Sequence, residues 1–231
     1  PYTRASHYIE EEKTKQEHLF RSRGGFQNND RVSRVKVFLA ETAGFCKGVR
    51  RAMNMVLERS EHDSRGLYTD GPLIHNPQTI EMLQNRGVKV LSGQHTPGGG
   101  DTVVIRSHGV PPARREELKT LGVNLCDATC PDVARIQGLI RRHVRQGFTA
   151  IIAGDKNHAE VLGLEGYAEG RGHVVSSPDE VDALPQAEKV CVVAQSTLYP
   201  ETFRAISDKV KKRWPGAVIL DTICPSTYHR Q

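Results

Sequence analysis

The sequence predicts an α/β protein of parallel sheets, and three observations carry that reading. From residue 35 onward, short β-branched apolar runs alternate with amphipathic stretches. The runs are nearly continuous in apolar residues, as strands covered by helices on both faces are. Two segments also repeat each other, Asp127-Ala-Thr-Cys130-Pro131 and Asp221-Thr-Ile-Cys224-Pro225, each after an apolar run.

Residues 1–34 precede this alternation. They are polar and charged without steady periodicity, from Glu10, Glu11 and Glu12 through Gly24 and Gly25 to Asp30, and read as a tail or peripheral arm. Their acidic residues argue against a transit peptide. A strand is then expected over 35–39 and a helix over 49–58, followed by a strand over 103–106 and a helix over 111–120. Further strands are expected over 149–154, 190–194 and 217–220, with a helix over 201–213.

Cys130 and Cys224 should each sit on a strand-to-helix turn, because the proline that follows suits the first helical position. Cys46 likewise follows the first run and precedes a helix. Cys130 lies 84 residues beyond Cys46, and Cys224 lies 94 beyond Cys130. Near-equal intervals suggest related units in a pseudo-three-fold arrangement about a common centre. The units are expected at 35–126, 127–222 and, as a truncated start, 223–231. A unit opened by Cys224 would need roughly 90 more residues by the same period, so the chain reads as a fragment. In parallel sheets, ligands bind beyond the carboxyl ends of strands, where these turns lie.

Composition narrows the function classes. Of the 231 residues, 37% are hydrophobic and 26% charged, as in a soluble globular protein, and no run approaches the ~20 apolar residues of a membrane span. The net charge of +5 admits anionic partners, yet the basic residues are dispersed with little aromatic interleaving, which disfavours nucleic acid. Five cysteines without a signal-peptide pattern point to a reducing, cytoplasmic setting and to metal ligands, a nucleophile or plain burial.

Three thiolates converging from separate turns form a soft donor set suited to iron–sulfur or zinc. Closed electron-transfer clusters use four cysteines; three leave one metal position open, as in catalytic zinc sites. Spacing alone leaves three buried cysteines near helix starts as an alternative. Cys191 lies inside the apolar run 190–193 and reads as core. Cys126 reads as core at the end of a strand over 123–125, although it could pair with Cys130 and close a four-cysteine site.

His75, His108 and His158 each follow an apolar run, and imidazole N–H groups can donate to phosphate oxygens. Turn or capping roles are the alternative for each. His143 falls in a helical stretch and reads as surface. Glu160 lies near a helix start, where it is either a proton-transfer group with a pKa raised by closure or an ordinary first-turn acid. Gln195-Ser196-Thr197 ends the 190–194 run and offers hydroxyls to a site or a cap to the next helix.

Taken together, Gly44-Phe-Cys-Lys-Gly-Val-Arg-Arg-Ala52, Leu73-Ile-His-Asn76, Ser107-His-Gly-Val110, Asp127-Ala-Thr-Cys-Pro131, His158-Ala-Glu160, Gln195-Ser-Thr-Leu198 and Thr222-Ile-Cys224, with Thr227-Tyr-His-Arg-Gln231, resemble the 4-hydroxy-3-methylbut-2-enyl diphosphate reductase family. The resemblance runs in order over about residues 35–231. It implies three α/β lobes around a [4Fe–4S] cluster with three cysteine ligands, Cys46, Cys130 and Cys224. It further implies that the substrate hydroxyl meets the open iron, that His75, His108 and His158 contact chiefly the diphosphate, and that Glu160 donates protons. Ser196 and Thr197 would line the pocket, Ser196 standing where the family usually has threonine.

Two electrons and protons would then remove the hydroxyl as water, giving isopentenyl and dimethylallyl diphosphates. An electron-donor protein such as ferredoxin or flavodoxin is implied as well. Three departures stand out: Ala159 in place of a common proline, Tyr228-His229 before the terminal Arg-Gln, and no third lobe to supply the family's further serines and asparagine. The competing readings are a non-catalytic iron–sulfur or zinc module closed by Cys126, and an anion- or nucleic-acid-binding domain.

Overall fold

The computed structural model describes residues 44–63, 65–91 and 96–229. The expected tail at 1–34 and strand at 35–39 lie outside these. The first described helix, α1 (Lys47–His62), is followed by β1 (Leu67–Asp70), α2 (Pro77–Asn85), β2 (Val88–Val90), β3 (Thr102–Ile105), α3 (Pro112–Thr120) and β4 (Asn124–Asp127). Next come α4 (Pro131–Arg145), β5 (Thr149–Ala153), α5 (Ala159–Gly166), β6 (Gly172–Val175), a 3₁₀ turn (Pro178–Ala183), β7 (Val190–Ala194), α6 (Pro200–Arg213), β8 (Val218–Leu220) and the short α7 (Pro225–Tyr228).

The strands form two four-stranded sheets of the same plan, β2-β1-β3-β4 and β6-β5-β7-β8. Among the described residues every pairing is parallel, with Asp70 opposite Ile105 in the first sheet and Ala153 opposite Ala194 in the second. The last residue of β4 is Asp127, and Cys224 follows β8, the last strand of the second sheet.

The apolar pattern explains the layers. Central strands β3 and β7 are buried along their whole length, whereas edge strands β6 and β8 are mostly half-buried. Successive strand residues face opposite sides. Val104 therefore packs with Ala52, Met53 and Val56 of α1, while Val103 and Ile105 pack with Leu118 of α3. In the second sheet, α4 sets Val133, Ile136, Ile140 and Val144 against Ala150, Ile152, Cys191 and Val193. That spacing of three and four is one helical stripe. Phe203, Ile206 and Val210 of α6 cover the other face. Each fully buried Ile or Val contributes about 1.5–3 kcal/mol relative to exposure.

Two expectations are corrected. Leu73 and Ile74 form no strand before His75: β1 ends at Asp70, Gly71 turns the chain at φ +78°, and both apolar residues are buried in the bend that follows. His143 is half-buried rather than a free surface residue, with its ring edge-on to Phe148 at 5.3 Å and Nδ1 2.8 Å from the Leu139 carbonyl.

Candidate functional site

Three cysteines cap three helices. Cys46, Cys130 and Cys224 are the N-cap residues of α1, α4 and α7, with Pro131 and Pro225 at the first helical positions of α4 and α7. The Asp-x-x-Cys repeat recurs as geometry: Asp127 Oδ1 accepts from the Thr129 N–H at 2.9 Å, and Asp221 Oδ1 accepts from the Ile223 N–H at 3.1 Å. Each turn is then docked on the strand end beside it. The Cys130 N–H donates to the Ser107 carbonyl at 2.9 Å, and the Cys224 N–H to the Ser196 carbonyl at 2.8 Å.

The three sulfurs face one cavity of about 300 Å³. Gly48, one helical position past the start of α1, lets the thiols approach: a Cβ there would lie 2.5 Å from Cys130 Sγ. Burial pushes the thiols of Cys130 and Cys224 up in pKa, against the pull of backbone N–H groups from Asp132 and Val133 on Cys130 and from Ser226 on Cys224. The nearby Cys46 and Asp132 push Cys130 further up. Thiols that resist ionising, as those of Cys130 and Cys224 do, are released from that conflict by a metal, which takes them as thiolates. All three are free cysteines, and the soft donor set fits an iron–sulfur centre.

Cys126 does not join them. It lies within β4, 6% exposed, packed with Val104 and Ala128 in the core beneath α1. Alternation along the strand sends its side chain into that core, so the closed four-cysteine module loses its fourth ligand.

The three histidines meet at the same cavity. The His75 and His108 ring centroids are 4.5 Å apart, and His158 lies 5.4 and 5.5 Å from them. One nitrogen from each ring falls within 4.8 Å of the others, close enough to share a metal ion or an anion. His158 is the N-cap of α5, and its Nδ1 accepts from the Glu160 N–H at 3.2 Å, which leaves Nε2 to carry the proton in the neutral ring. Burial lowers the His108 pKa to about 3, helped by His75, His158 and Arg106; burial and then His75 lower that of His158. His108 Nδ1 is buried without a partner among the described residues. The depressed pKa values of His108 and His158 favour their neutral forms, and an anion beside them would favour protonation.

Glu160 is 2% exposed in the first turn of α5. Ser196, just past β7, donates its N–H to Oε1 at 2.6 Å and its hydroxyl to Oε2 at 2.7 Å. Burial raises the pKa of this carboxyl, and the two hydrogen bonds temper the rise. Thr197 is exposed at the cavity rim, and its hydroxyl accepts from Gln195 Nε2 at 2.8 Å. Gln195 in turn accepts from the Asp155 N–H at 3.0 Å, tying the two loops together.

The cavity also includes Ser107, Asp132 and Thr227, which sequence reasoning passed over. Ser107 stands directly before His108 and Asp132 two residues after Cys130, so proximity to the named residues was the available signal. Thr227 donates its hydroxyl to the Ser196 carbonyl at 3.0 Å.

A parallel α/β frame carrying three thiols at helix N-termini, three imidazoles and a buried carboxyl into one cavity defines a metal-binding α/β protein. The chain belongs to the LytB protein family, whose family model matches residues 37–231. Membership implies an iron–sulfur cluster. The chain is similar to the 4-hydroxy-3-methylbut-2-enyl diphosphate reductase of Opitutus terrae, 42% identical over 207 residues that cover 85% of this chain and 72% of that protein. Among solved structures, it resembles (E)-4-hydroxy-3-methyl-but-2-enyl diphosphate reductase, the terminal enzyme of the non-mevalonate pathway, with TM-score 0.76 and 37% identity over 84% of this chain and 70% of that one. It also resembles the E-1-hydroxy-2-methyl-but-2-enyl-4-diphosphate reductase of Plasmodium falciparum, with TM-score 0.79 and 28% identity over 82% of this chain. The match spans 61% of the Plasmodium chain. No described helix is long and apolar enough to cross a membrane.

Proposed function

We propose that the protein reductively removes the hydroxyl group of 4-hydroxy-3-methylbut-2-enyl diphosphate, yielding isopentenyl and dimethylallyl diphosphates in the cytoplasm. The observation that carries this reading is the single cavity shared by Cys46, Cys130, Cys224, the three histidines and Glu160. When bound by the three cysteines, a [4Fe–4S] cluster supplies single electrons and, at the iron without a thiolate, a Lewis acid.

The chain's own groups do the rest. His75, His108 and His158 hold the diphosphate by N–H donation, and His108 and His158, whose pKa values burial depresses, gain protons as the anion arrives. Ser196 and Thr197 add hydroxyls on the same side. Hydroxide is a poor leaving group, so a proton must reach the departing oxygen. Glu160 holds that proton, because its burial favours the neutral acid. Ser196 orients the acid from two directions. The electrons come from a small redox protein such as ferredoxin or flavodoxin.

The reading is tested by anaerobic purification, iron and sulfide counting, and spectra with and without the diphosphate substrate, followed by turnover with a chemical reductant. Four irons per chain, a spectral change on adding substrate, and formation of the two products are expected. A protein loaded with iron that neither responds to substrate nor turns it over would sink the proposal.

A further inference from the structure

Cations at the start of a helix are unfavourable, because the helix presents the positive end of its dipole there. α1 departs from this rule beside Cys46. Lys47 is its first residue and Arg50 its fourth, and the first turn holds no acid. Both side chains are exposed, and neither has an ion-pair partner among the described residues. Arg50 donates weakly to the Phe45 carbonyl, at 3.4 Å. Arg51 is turned to the neighbouring Cys130 turn instead, donating to the Thr129 and Asp127 carbonyls at 3.2 and 3.4 Å.

Other clustered cations have an ordinary reason for their places. α3 also opens on arginines, yet Arg114 is paired with Asp70 and Glu117, and Arg115 with Asp127. Arg142 and Arg145 of α4, like Lys211 and Lys212 of α6, lie in last turns, where the dipole favours positive charge. Lys47 and Arg50 have neither reason. Position supplies another. Lys47 adjoins Cys46, which is only half-buried, and Arg50 lies about 6 Å along the helix axis from it. A carrier delivering electrons to a centre on Cys46 gains by docking here, because the sulfur's other side faces the cavity of the histidines and Glu160. Opposite charge speeds such an encounter more than it tightens it, which suits a carrier that must leave after giving one electron.

We propose that Lys47 and Arg50 form the docking surface for a small acidic one-electron carrier, which reduces the iron–sulfur centre from the Cys46 side. The proposal rests on the cluster reading above and names where its electrons enter. Each encounter oxidises one carrier by one electron. Two carriers thus supply the two electrons that, with two protons, release the substrate hydroxyl as water.

The test uses the full-length protein loaded anaerobically, as wild type, as Lys47→Gln with Arg50→Gln, and as Arg142→Gln with Arg145→Gln. The last pair removes the same charge from a face about 18 Å or more along α4 from Cys130. Stopped-flow absorbance follows cluster reduction by reduced acidic [2Fe–2S] ferredoxin, by reduced acidic flavodoxin in a parallel arm, and by reduced methyl viologen. At low salt, Lys47→Gln with Arg50→Gln should be reduced roughly tenfold or more slowly by at least one protein carrier, with a shallower salt dependence. The arm that slows identifies the carrier. Iron content and the rate with methyl viologen should match wild type, and Arg142→Gln with Arg145→Gln should match it in every arm. The wild type gives a second readout that no substitution can disturb. Carbodiimide joins carrier carboxylates to lysine amines, and mass spectrometry should find a cross-link on Lys47. Wild-type rates with both carriers, an equal loss in the Arg142 and Arg145 protein, or cross-links at other lysines alone would overturn the docking surface and leave the cluster reading standing. A wild-type protein that takes up no cluster would overturn the cluster reading and this proposal with it.

Discussion

Ser196 grips Glu160 from two sides, N–H to Oε1 at 2.6 Å and hydroxyl to Oε2 at 2.7 Å. The two residues follow neighbouring strands, β7 and β5, whose pairing fixes their separation. As drawn, both bonds favour the carboxylate. When Glu160 is protonated at Oε2, the hydroxyl must turn and accept, leaving its own proton free to point into the cavity. In the proposed reaction, Ser196 is thus placed to pass on a proton from Glu160.

Glu160→Gln should keep iron content and substrate binding while turnover falls by roughly 10²–10⁴-fold, the usual weight of a positioned acid. Stability supplies a second readout. The folded pKa of Glu160 is raised, so its contribution is fully present below the unfolded value and lost as pH rises through the folded one. Thermal unfolding at pH 5 and pH 8 should show the Gln variant gaining on wild type at the higher pH. Unchanged turnover would remove Glu160 from the acid role.

Removing the Ser196 hydroxyl withdraws one of the bonds that hold the Glu160 pKa down. Ser196→Ala should shift the alkaline limb of the pH–rate profile upward and cost about 1–3 kcal/mol of stability, because a buried oxygen loses its partner. Ser196→Thr should restore both. An alkaline limb that stays put in the Ala variant would show that Glu160 does not set it.

The histidine cluster predicts proton uptake. With their pKa values depressed, His108 to about 3, the His108 and His158 rings contribute stability that is present above their unfolded values and lost as pH falls through the folded ones. An anion among them reverses the depression. Inorganic diphosphate should therefore bind with net proton uptake, and more tightly at pH 6 than at pH 8. Calorimetry in two buffers of different ionisation enthalpy measures this directly. Binding without proton uptake would count against an anion resting on the three rings.

Gly48→Ala separates helix from site. Alanine favours helix by about 1 kcal/mol over glycine, yet the new methyl group would lie 2.5 Å from Cys130 Sγ. Helical content should hold or rise while iron per chain falls. Full iron loading in this variant would mean that the sulfur has room to move.

The five cysteines divide in the same assay. Serine at Cys46, Cys130 or Cys224 should abolish or severely reduce cluster loading, whereas serine at Cys126 or Cys191 should spare the iron and lower stability. A cluster lost from Cys126→Ser with native circular dichroism would reopen the closed four-cysteine site.

Much of this was legible in the residues because the central strands are plain. β3, β5 and β7 are unbroken apolar runs between turn residues, and their burial on both faces demands such runs. β1 is equally central but escaped notice, since Thr69 and Asp70 interrupt it. Their burial depends on tertiary partners, notably Arg114 of α3, which donates to Asp70 at 2.8 and 3.2 Å. β2 and β6 escaped because short edge strands such as Val-Lys-Val carry little pattern. Within the site, the cysteines and histidines could be read from their places after apolar runs. The contact of Asp132 with Cys224 could not, because only folding brings the two together across two helix starts.

Three thiols on three separate helix ends also dictate when a metal centre can be built. Cys46 leads into the helix covering the first sheet, Cys130 heads a helix on the second, and Cys224 waits until β8 is laid down. No contiguous stretch of nascent chain holds the donor set. On the proposed ligand set, cofactor insertion is a late event in the protein's life, and iron content would serve as a report that both sheets have finished folding.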